Sequence, residues 1–266
     1  MTKKLFVTDL DGTLVADEDI IHSTSLDLMK KWKEKGNFLT LCTGRTLEEA
    51  IQLAELMEVN APIIVNSGSL LVQADSREIL SEETVPKSAL NLIKEVMDKD
   101  PELAILVASD LGPLSLRKND HLMEKGTYHD RNSAMARLDE LIDRKLYKIQ
   151  LVHPDHGRLE KYRSLFEKAK EPMIFKFASR TFVEIVSSAS GKDKGLAKLL
   201  DHLNIAPKNT GYAGDGHTDI PAMKLVGHSF APEDAMEAVR DASQQLIPSP
   251  KRLGINDALL YMLDLK

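Results

Sequence analysis

Short apolar segments alternate with amphipathic segments along the first part of the chain. Three apolar runs predict buried strands at residues 5–8, 38–42 and 62–65. Between them, residues 24–35 and the segment that begins at Thr46 have the apolar spacing of helices. Each opens with a threonine three residues before an acidic residue, the pattern of a capping box. Strands apolar on both faces that alternate with helices predict the α/β class, with a doubly wound parallel sheet.

The pattern changes in the middle of the chain and then returns. Residues 69–73 and 78–80 predict a hairpin, and the polar stretch 112–131 has no clear period. The other predicted helices are 87–99, 137–143, 155–170, 194–203, 219–225 and 235–242, and the other predicted strands are 103–108, 148–152, 173–178, 181–186, 210–213, 228–231 and 245–248. We therefore expect a Rossmann-like core formed by residues 1–83 and 186–266, into which residues 84–185 are inserted as an α+β domain.

Composition narrows the class of protein. The chain has 266 residues, of which 42% are hydrophobic and 29% charged, as in soluble globular proteins. A formal net charge of −6 argues against nucleic acid as the main partner. Cys42 is the single cysteine, which fits a reducing compartment, and no apolar run approaches the ~20 residues of a membrane span. Since the N-terminus has no signal-peptide pattern, we expect a cytoplasmic protein with no membrane partner. Its oligomeric state is not indicated.

Polar residues follow four of the predicted strands at their carboxyl ends. In a doubly wound sheet these ends meet along one edge, where ligands bind. The edge would carry Asp9 and Asp11, Thr43-Gly44-Arg45, Asn66-Ser67-Gly68, and Gly214-Asp215-Gly216-His217-Thr218-Asp219. Lys194 begins the helix that leads back into the sheet.

The charge of this edge predicts a metal site. Asp9, Asp11, Asp215 and Asp219 bring about four negative charges, of which Lys194 offsets one. A divalent cation would remove the repulsion, and a small set of hard oxygen ligands suits Mg²⁺, which commonly bridges to a phosphate. We therefore predict Mg²⁺ as the cofactor and a phosphate group as the ligand.

The same residues suit phosphoryl transfer. Asp9 lies closest to its strand and is the natural nucleophile for a route through an aspartyl-phosphate. Asp11, two residues on, suits proton donation to the leaving oxygen and later activation of water. Thr43 and the backbone amides near Gly12 and Gly44 can donate hydrogen bonds to the phosphate oxygens.

The order of these motifs resembles that of the haloacid dehalogenase (HAD) superfamily of phosphohydrolases. The matching segments are Asp9-Leu10-Asp11-Gly12-Thr13-Leu14, Thr43-Gly44-Arg45, Lys194-Gly195, and Gly214-Asp215 with Asp219. The long insertion between the second and third motifs is similar to the C2 cap of the Cof-type branch, subfamily IIB. The resemblance covers the whole chain. It implies a HAD core with a cap that closes over the site, excludes bulk water and chooses the substrate.

The resemblance also implies catalytic roles for single residues. Asp9 matches the family's nucleophile, Asp11 its general acid/base, and Thr43 the phosphate-binding hydroxyl of its second motif. Lys194 matches the lysine that steadies the nucleophile and the phosphate, with Lys192 as a rival in the same loop.

Metal ligands follow from the same resemblance. Asp9 would bind Mg²⁺ through its side chain, Asp11 through its backbone carbonyl, and Asp215 as the acid of the fourth motif. Asp219 would be an inner- or outer-shell partner, although an acid that complements the dipole at the start of a helix is an alternative interpretation.

Some positions depart from the family pattern or keep two interpretations. Thr218 stands where the Cof-type branch has asparagine, and Ser67 interrupts the Asn-Gly pair of that branch. Whether these two residues contact the phosphate is therefore left open by the sequence. Arg45 fits anion binding and equally a solvated first helical turn. His217 fits a substrate or metal contact and also an exposed loop.

Together these features predict a Mg²⁺-dependent phosphatase of small phosphorylated metabolites, sugar phosphates above all, that acts through an aspartyl-phosphate. One alternative is a phosphohexomutase-like phosphotransferase. Another, from a different class, is a phosphoacceptor signalling module; such modules are much shorter and have no cap.

Overall fold

The computed structural model of the protein describes residues 3–16, 19–119, 133–171 and 173–265. Two compact units make up the chain, one formed by Met1–Ser81 and Gly191–Lys266 and the other by Glu82–Ser190. The described strands are β1 (Leu5–Thr8), β2 (Phe38–Leu41), β3 (Ile63–Val65), β4 (Leu70–Val72), β5 (Ile79–Glu82), β6 (Ala104–Ser109), β7 (Gly112–Arg117), β8 (Ala134–Met135), β9 (Leu146–Val152), β10 (Met173–Phe177), β11 (Phe182–Ser187), β12 (Thr210–Ala213), β13 (His228–Pro232) and β14 (Gln245–Ile247). The described helices are α1 (Ser23–Glu34), α2 (Leu47–Leu56), α3 (Ala89–Lys99), α4 (His156–Glu160), α5 (Arg163–Glu167), α6 (Lys192–Leu203), α7 (Ile220–Leu225), α8 (Glu237–Ala242) and α9 (Gly254–Asp264).

A parallel sheet of five strands forms the first unit, in the order β14-β13-β12-β1-β2. β1 is an interior strand, with Thr8 paired to Ala213 of β12 on one side and to Leu41 of β2 on the other. A small sheet of β3, β4 and β5 continues from the end of β2, where the Thr43 N–H donates to the Ile64 carbonyl at 2.9 Å. This architecture confirms the predicted α/β class with a parallel, Rossmann-like sheet.

Both faces of β1 are buried, which explains its continuous apolar sequence. Leu5, Phe6 and Val7 are each 0% exposed. On one face, Phe6 packs edge-on against Trp32 of α1, with ring centroids 6.2 Å apart. On the other face, Leu5 and Val7 share a hydrophobic cluster with Leu196 of α6. Burial of each such side chain contributes about 1.5–3 kcal/mol, so helices on both sides of the sheet hold β1 in place.

Some helix boundaries differ from the predicted ones. α1 is capped by His22, whose ring accepts a hydrogen bond from the Thr24 N–H (3.3 Å), so the capping box predicted at Thr24 is wrong. α2 has the predicted box, in which the Glu49 carboxylate accepts from the Thr46 N–H at 2.8 Å. α6 begins at Lys192, two residues before the predicted start. α9 has no counterpart among the predicted elements.

The second unit is built on a six-stranded sheet in the order β10-β11-β9-β6-β7-β8. Its core joins Ile93 of α3 and Phe166 of α5 to Ile105 and Ile149 of the sheet. The predicted helix 155–170 is divided into α4 and α5. The polar stretch 112–131 begins with β7, and its residues after 119 lie outside the described part of the chain. No helix among the described residues has the length and hydropathy needed to cross a membrane.

Candidate active site

The central pair of strands brings distant acidic residues to one edge of the parallel sheet. β1 and β12 run side by side, and the Asp9 N–H donates to the Ala213 carbonyl at 2.8 Å. Asp215 follows β12 as Asp9 follows β1. Carboxylate oxygens of Asp9, Asp215 and Asp219 lie within 4.8 Å of one another. The predicted convergence of these three residues is therefore present in the structure.

Asp219 is fixed by three donors. It precedes α7 and is 0% exposed. Its Oδ1 accepts hydrogen bonds from the Tyr212 hydroxyl (2.6 Å) and the Lys192 ammonium (2.7 Å), and its Oδ2 accepts from the Gly216 N–H (3.0 Å). Since both oxygens already accept hydrogen bonds, Asp219 is suited to organise its neighbours as an outer-shell partner of a metal ion.

The lysine of this cluster is Lys192, which corrects the prediction of Lys194. Lys192 Nζ lies 3.0 Å from Asp9 Oδ1 and 2.7 Å from Asp219 Oδ1, and its side chain is 3% exposed. It is the first residue of α6, and residues two positions apart on a helix do not face the same way. The sequence analysis kept Lys192 as the alternative to Lys194. Lys192 reaches the carboxylates because α6 begins two residues earlier than predicted.

Burial changes the proton affinity of these groups. It raises the pKa of the Asp9 carboxyl well above its usual range; Lys192 opposes this rise, and Asp219 and Asp215 add to it. Burial and then the charge of Asp219 raise the pKa of Asp215 to about 6. For Lys192, burial lowers the pKa, but Asp219 and Asp9 raise it well above its ordinary value, so this lysine stays charged.

The donor set fits a hard divalent cation. Three buried or half-buried carboxylates face one lysine, which leaves about two negative charges in a poorly solvated site. Asp9 and Asp215 supply oxygens that suit Mg²⁺. Thr13 holds Asp215 by donating its hydroxyl to Oδ1 at 3.2 Å. Burial and then repulsion between the carboxylates raise both pKa values, and a cation bound between Asp9 and Asp215 would offset both effects.

Asp11 is not among the carboxylates of this cluster and is held by Arg45. The guanidinium donates to Asp11 Oδ2 from Nε (2.9 Å) and to Oδ1 from Nη2 (2.6 Å), and it also donates to Asp19 at 2.6 Å. The Asp11 side chain is 61% exposed. These hydrogen bonds raise the pKa of Arg45. Arg45 therefore binds two carboxylates of the protein itself, those of Asp11 and Asp19. Its side chain is 16% exposed, so the alternative of a solvated residue in the first helical turn is wrong.

The predicted phosphate-binding segment lies beside the cluster at the end of β2. Thr43 is 0% exposed, and its hydroxyl accepts from the Arg45 N–H at 3.1 Å, with Gly44 between them. The Thr43 carbonyl accepts from the Ser67 N–H at 3.0 Å, which ties this loop to the one after β3. Asn66 and Ser67 have φ of 51° and 57°, sparsely populated values for residues with a Cβ.

The remaining predicted site residues, His217 and Thr218, lie in the loop after β12. His217 is exposed and Thr218 is half-buried, in the turn between Asp215 and Asp219. Sequence reasoning missed two contributors to the site, Thr13 and Tyr212. Thr13 is part of the first motif, whereas Tyr212 stands in an apolar strand, where a tyrosine gives no functional signal.

Carboxylates and a buried lysine at the carboxyl ends of a parallel sheet are typical of an α/β enzyme. The family model for haloacid dehalogenase-like hydrolases matches residues 6–259, and the chain belongs to this family. The resemblance seen in the motifs is thereby confirmed.

Several similar proteins are named phosphatases. The chain is 24% identical over 260 residues to phosphoglycolate phosphatase of Methanopyrus kandleri, which covers 98% of this chain and 97% of that protein. It is 22% identical to the 5-amino-6-(5-phospho-D-ribitylamino)uracil phosphatase YwtE of Bacillus subtilis, over 95% of each. It is 21% identical to HMP-PP phosphatase of Klebsiella pneumoniae, over 98% of this chain and 96% of that protein. These relatives confirm the prediction of a HAD-type phosphatase.

Solved structures share the whole fold. A haloacid dehalogenase-like hydrolase from Bacteroides thetaiotaomicron has a TM-score of 0.85 at 22% identity, covering 98% of this chain and 100% of that one. The HAD subclass IIB sugar phosphatase BT4131 has a TM-score of 0.82 at 18% identity, covering 99% and 100%. These similarities confirm the predicted HAD core with an α+β insertion.

Proposed function

We propose that the protein is a Mg²⁺-dependent phosphatase that hydrolyses small phosphorylated metabolites, with sugar phosphates as the first class to test. The observation that carries this proposal is the cluster of Asp9, Asp215 and Asp219 around Lys192, at the edge where a parallel sheet binds ligands. The names of the relatives support it, since each of them describes a phosphatase of a small phosphorylated compound.

Asp9, Asp215 and the backbone carbonyl of Asp11 are the proposed ligands of Mg²⁺, which would supply the positive charge that lets a phosphate group approach the carboxylates. Asp9 attacks phosphorus through a carboxylate oxygen; a P–O bond to Asp9 forms, and the P–O bond to the leaving alcohol breaks. Lys192 stands beside the attacking carboxylate and stabilises the charge that the transferred group carries.

Asp11 moves the protons in this proposal. In its acid form it gives a proton to the oxygen of the leaving alcohol, and as a carboxylate it then takes one from the water that hydrolyses the aspartyl-phosphate. In this structure Arg45 occupies both oxygens of the Asp11 carboxylate, so Asp11 has to leave these two hydrogen bonds to serve as the acid. Thr43 and the amides near Gly44 are the proposed donors to the phosphate oxygens, and the inserted domain is the proposed determinant of substrate choice.

The test is phosphate release from a panel of phosphorylated sugars, small acids, nucleotides and an aryl phosphate, in Mg²⁺ and in chelator. We expect Mg²⁺-dependent turnover that falls at least about a thousandfold in Asp9→Asn, because the nucleophile is lost. Asp143→Asn, at an exposed position, is the matched control and should keep wild-type turnover.

Three outcomes would contradict this function. Isomerised hexose phosphate without phosphate release would indicate a mutase. A phosphoaspartate that survives for minutes without turnover would indicate a phosphoacceptor module. Equal turnover in Asp9→Asn and the wild type would remove Asp9 from the nucleophile's role.

A further inference from the structure

A buried tyrosine reaches the carboxylate cluster from the apolar interior of the first unit. Tyr212 lies on β12, opposite Val7 of β1, and is 0% exposed within a hydrophobic cluster. Its hydroxyl ends at Asp219, to which it donates at 2.6 Å. The ring fills space as an apolar side chain would, so what the hydroxyl adds at this position is hydrogen bonding, to the Asp219 carboxylate and to the Cys42 thiol.

The oxygen that accepts this bond also holds the catalytic lysine. Asp219 Oδ1 accepts from Lys192 Nζ at 2.7 Å, and the same ammonium lies 3.0 Å from Asp9 Oδ1. Lys192 is therefore drawn toward two carboxylates at once, and its position depends on the charge and orientation that each one offers. A second donor on Asp219 Oδ1 weakens the pull of Asp219 on the ammonium.

The orientation of Asp219 is fixed from two sides. The Gly216 N–H holds Oδ2 at 3.0 Å and belongs to a turn, whereas Tyr212 holds Oδ1 and belongs to a fully buried strand of the sheet. Tyr212 is also a neutral donor. It therefore satisfies the buried carboxylate without supplying a second cation, which would cancel the negative charge that keeps Lys192 in place.

We propose that Tyr212 is a positioning residue for the reaction: its hydroxyl fixes Asp219 so that Lys192 remains against Asp9. This inference rests on the proposed phosphatase function. It acts through two contacts, Tyr212 to Asp219 and Asp219 to Lys192, and it assigns a kinetic role to a side chain that lies in the hydrophobic core.

The kinetic test is Tyr212→Phe, which removes the hydroxyl and keeps the ring. With a substrate that the wild type hydrolyses, we expect kcat to fall about tenfold, the usual effect of one hydrogen bond to a charged group. KM should change less than about twofold, because the proposed phosphate-binding groups stay in place. Tyr147→Phe is the matched control, since Tyr147 is 3% exposed and donates to a carboxylate in the other unit, that of Glu82, at 3.1 Å. It should leave kcat unchanged.

A cycle with Asp219→Asn tests whether the effect passes through Asp219. In that background the Tyr212→Phe change should lower kcat less than about twofold, because the charged acceptor is already gone. An unchanged kcat in Tyr212→Phe, or the same tenfold loss in both backgrounds, would overturn the inference. If circular dichroism shows that Tyr212→Phe does not fold, Tyr212→Met replaces it, since methionine fills irregular core space without a hydroxyl.

A second measurement needs no turnover and so separates this inference from the proposed function. With lysine side chains labelled with ¹⁵N, the Nζ resonance of Lys192 can be assigned by its loss in Lys192→Met. We expect this resonance to shift in Tyr212→Phe and to stay in place in Tyr147→Phe. An unmoved Lys192 resonance in Tyr212→Phe would overturn the positioning role, whatever substrates the enzyme accepts.

Discussion

Lys192 and Lys194 stand two positions apart in one helix, and their place on the helical turn decides their roles. Each residue of a helix is rotated by about 100° from the last, so side chains two positions apart point to nearly opposite sides. Lys192 is the residue that lies between Asp9 and Asp219. A Lys-Gly motif locates the segment in the sequence, but the lysine that enters the site depends on where the helix begins.

Replacing each lysine by methionine separates the two. Lys192→Met should lower kcat by about a hundredfold or more, since it removes the charge beside Asp9, the proposed nucleophile. It should also lower the free energy of unfolding, because a buried ion pair that loses one partner typically costs about 3–5 kcal/mol. Lys194→Met, the matched control, should change kcat by less than about threefold. Steady-state kinetics and urea unfolding measure both effects, and a larger loss of kcat in Lys194→Met would reverse the assignment.

Among the elements, those with a strong local signal could be predicted from the sequence. β1, β2 and β12 are short apolar runs bounded by polar residues, and α2 opens with a capping box that the structure contains. α6 could not be placed to the residue, because Gly191 at its N-cap offers no side chain to mark the start. The apolar spacing of residues 155–170 favours one continuous helix, but the structure has two short helices, α4 and α5. Tertiary packing, which the spacing does not encode, determines where this helix breaks.

The loop after β1 depends on a glycine for a reason that only the structure shows. Gly12 has a φ of +74°, and a Cβ at this position would lie 2.3 Å from Asp215 Oδ2. An alanine would therefore push away the carboxylate of Asp215, the proposed metal ligand, and would also strain the backbone. The sequence motif indicates that the loop matters, but not that it packs against a residue in the last quarter of the chain.

Gly12→Ala tests this contact, and Gly36→Ala is its matched control. Gly36 has a similar φ of +79°, but a Cβ there meets nothing within 4 Å. Both variants should lose about 1 kcal/mol of stability through backbone strain. We expect Gly12→Ala alone to weaken Mg²⁺ binding and to lower kcat at least about tenfold, as measured by the Mg²⁺ dependence of turnover. The same kinetic loss in Gly36→Ala would show that strain, and not contact with Asp215, is responsible.

For the whole molecule, the raised pKa of Asp215 couples stability to pH and to metal binding. This carboxyl has a pKa of about 6 in the folded protein against an ordinary value of 3.8. Between these values the folded protein keeps a proton that the unfolded chain has released. The contribution of this group to the free energy of unfolding therefore falls as pH rises from about 4 to about 6, and the loss is complete above pH 6. A cation bound at the site would offset this loss of stability.

Thermal unfolding in Mg²⁺ and in chelator tests this coupling. Mg²⁺ should raise Tm more at about pH 7.5 than at about pH 5, because protons compete with the metal for the carboxylates at low pH. In Asp215→Asn, most of this gain should disappear, since the proposed metal ligand and a titrating group are both removed. A gain in Tm that is the same at both pH values would count against a metal site built on Asp215.

The order of the strands has a consequence for biosynthesis. Thr13 and Asp215 are joined by a hydrogen bond although they are 202 positions apart, and β1 lies between β2 and β12. On the ribosome β1 emerges before both of its neighbours, and one of them, β12, follows only after the whole second unit has been made. A nascent chain that stops before Thr210 has Asp9 but not Asp215, so one side of β1 stays unpaired and the proposed metal site is incomplete. Synthesis that is interrupted before Thr210 should therefore yield inert chains, and the enzyme should gain its activity in a single step after β12 and Asp215 have been made.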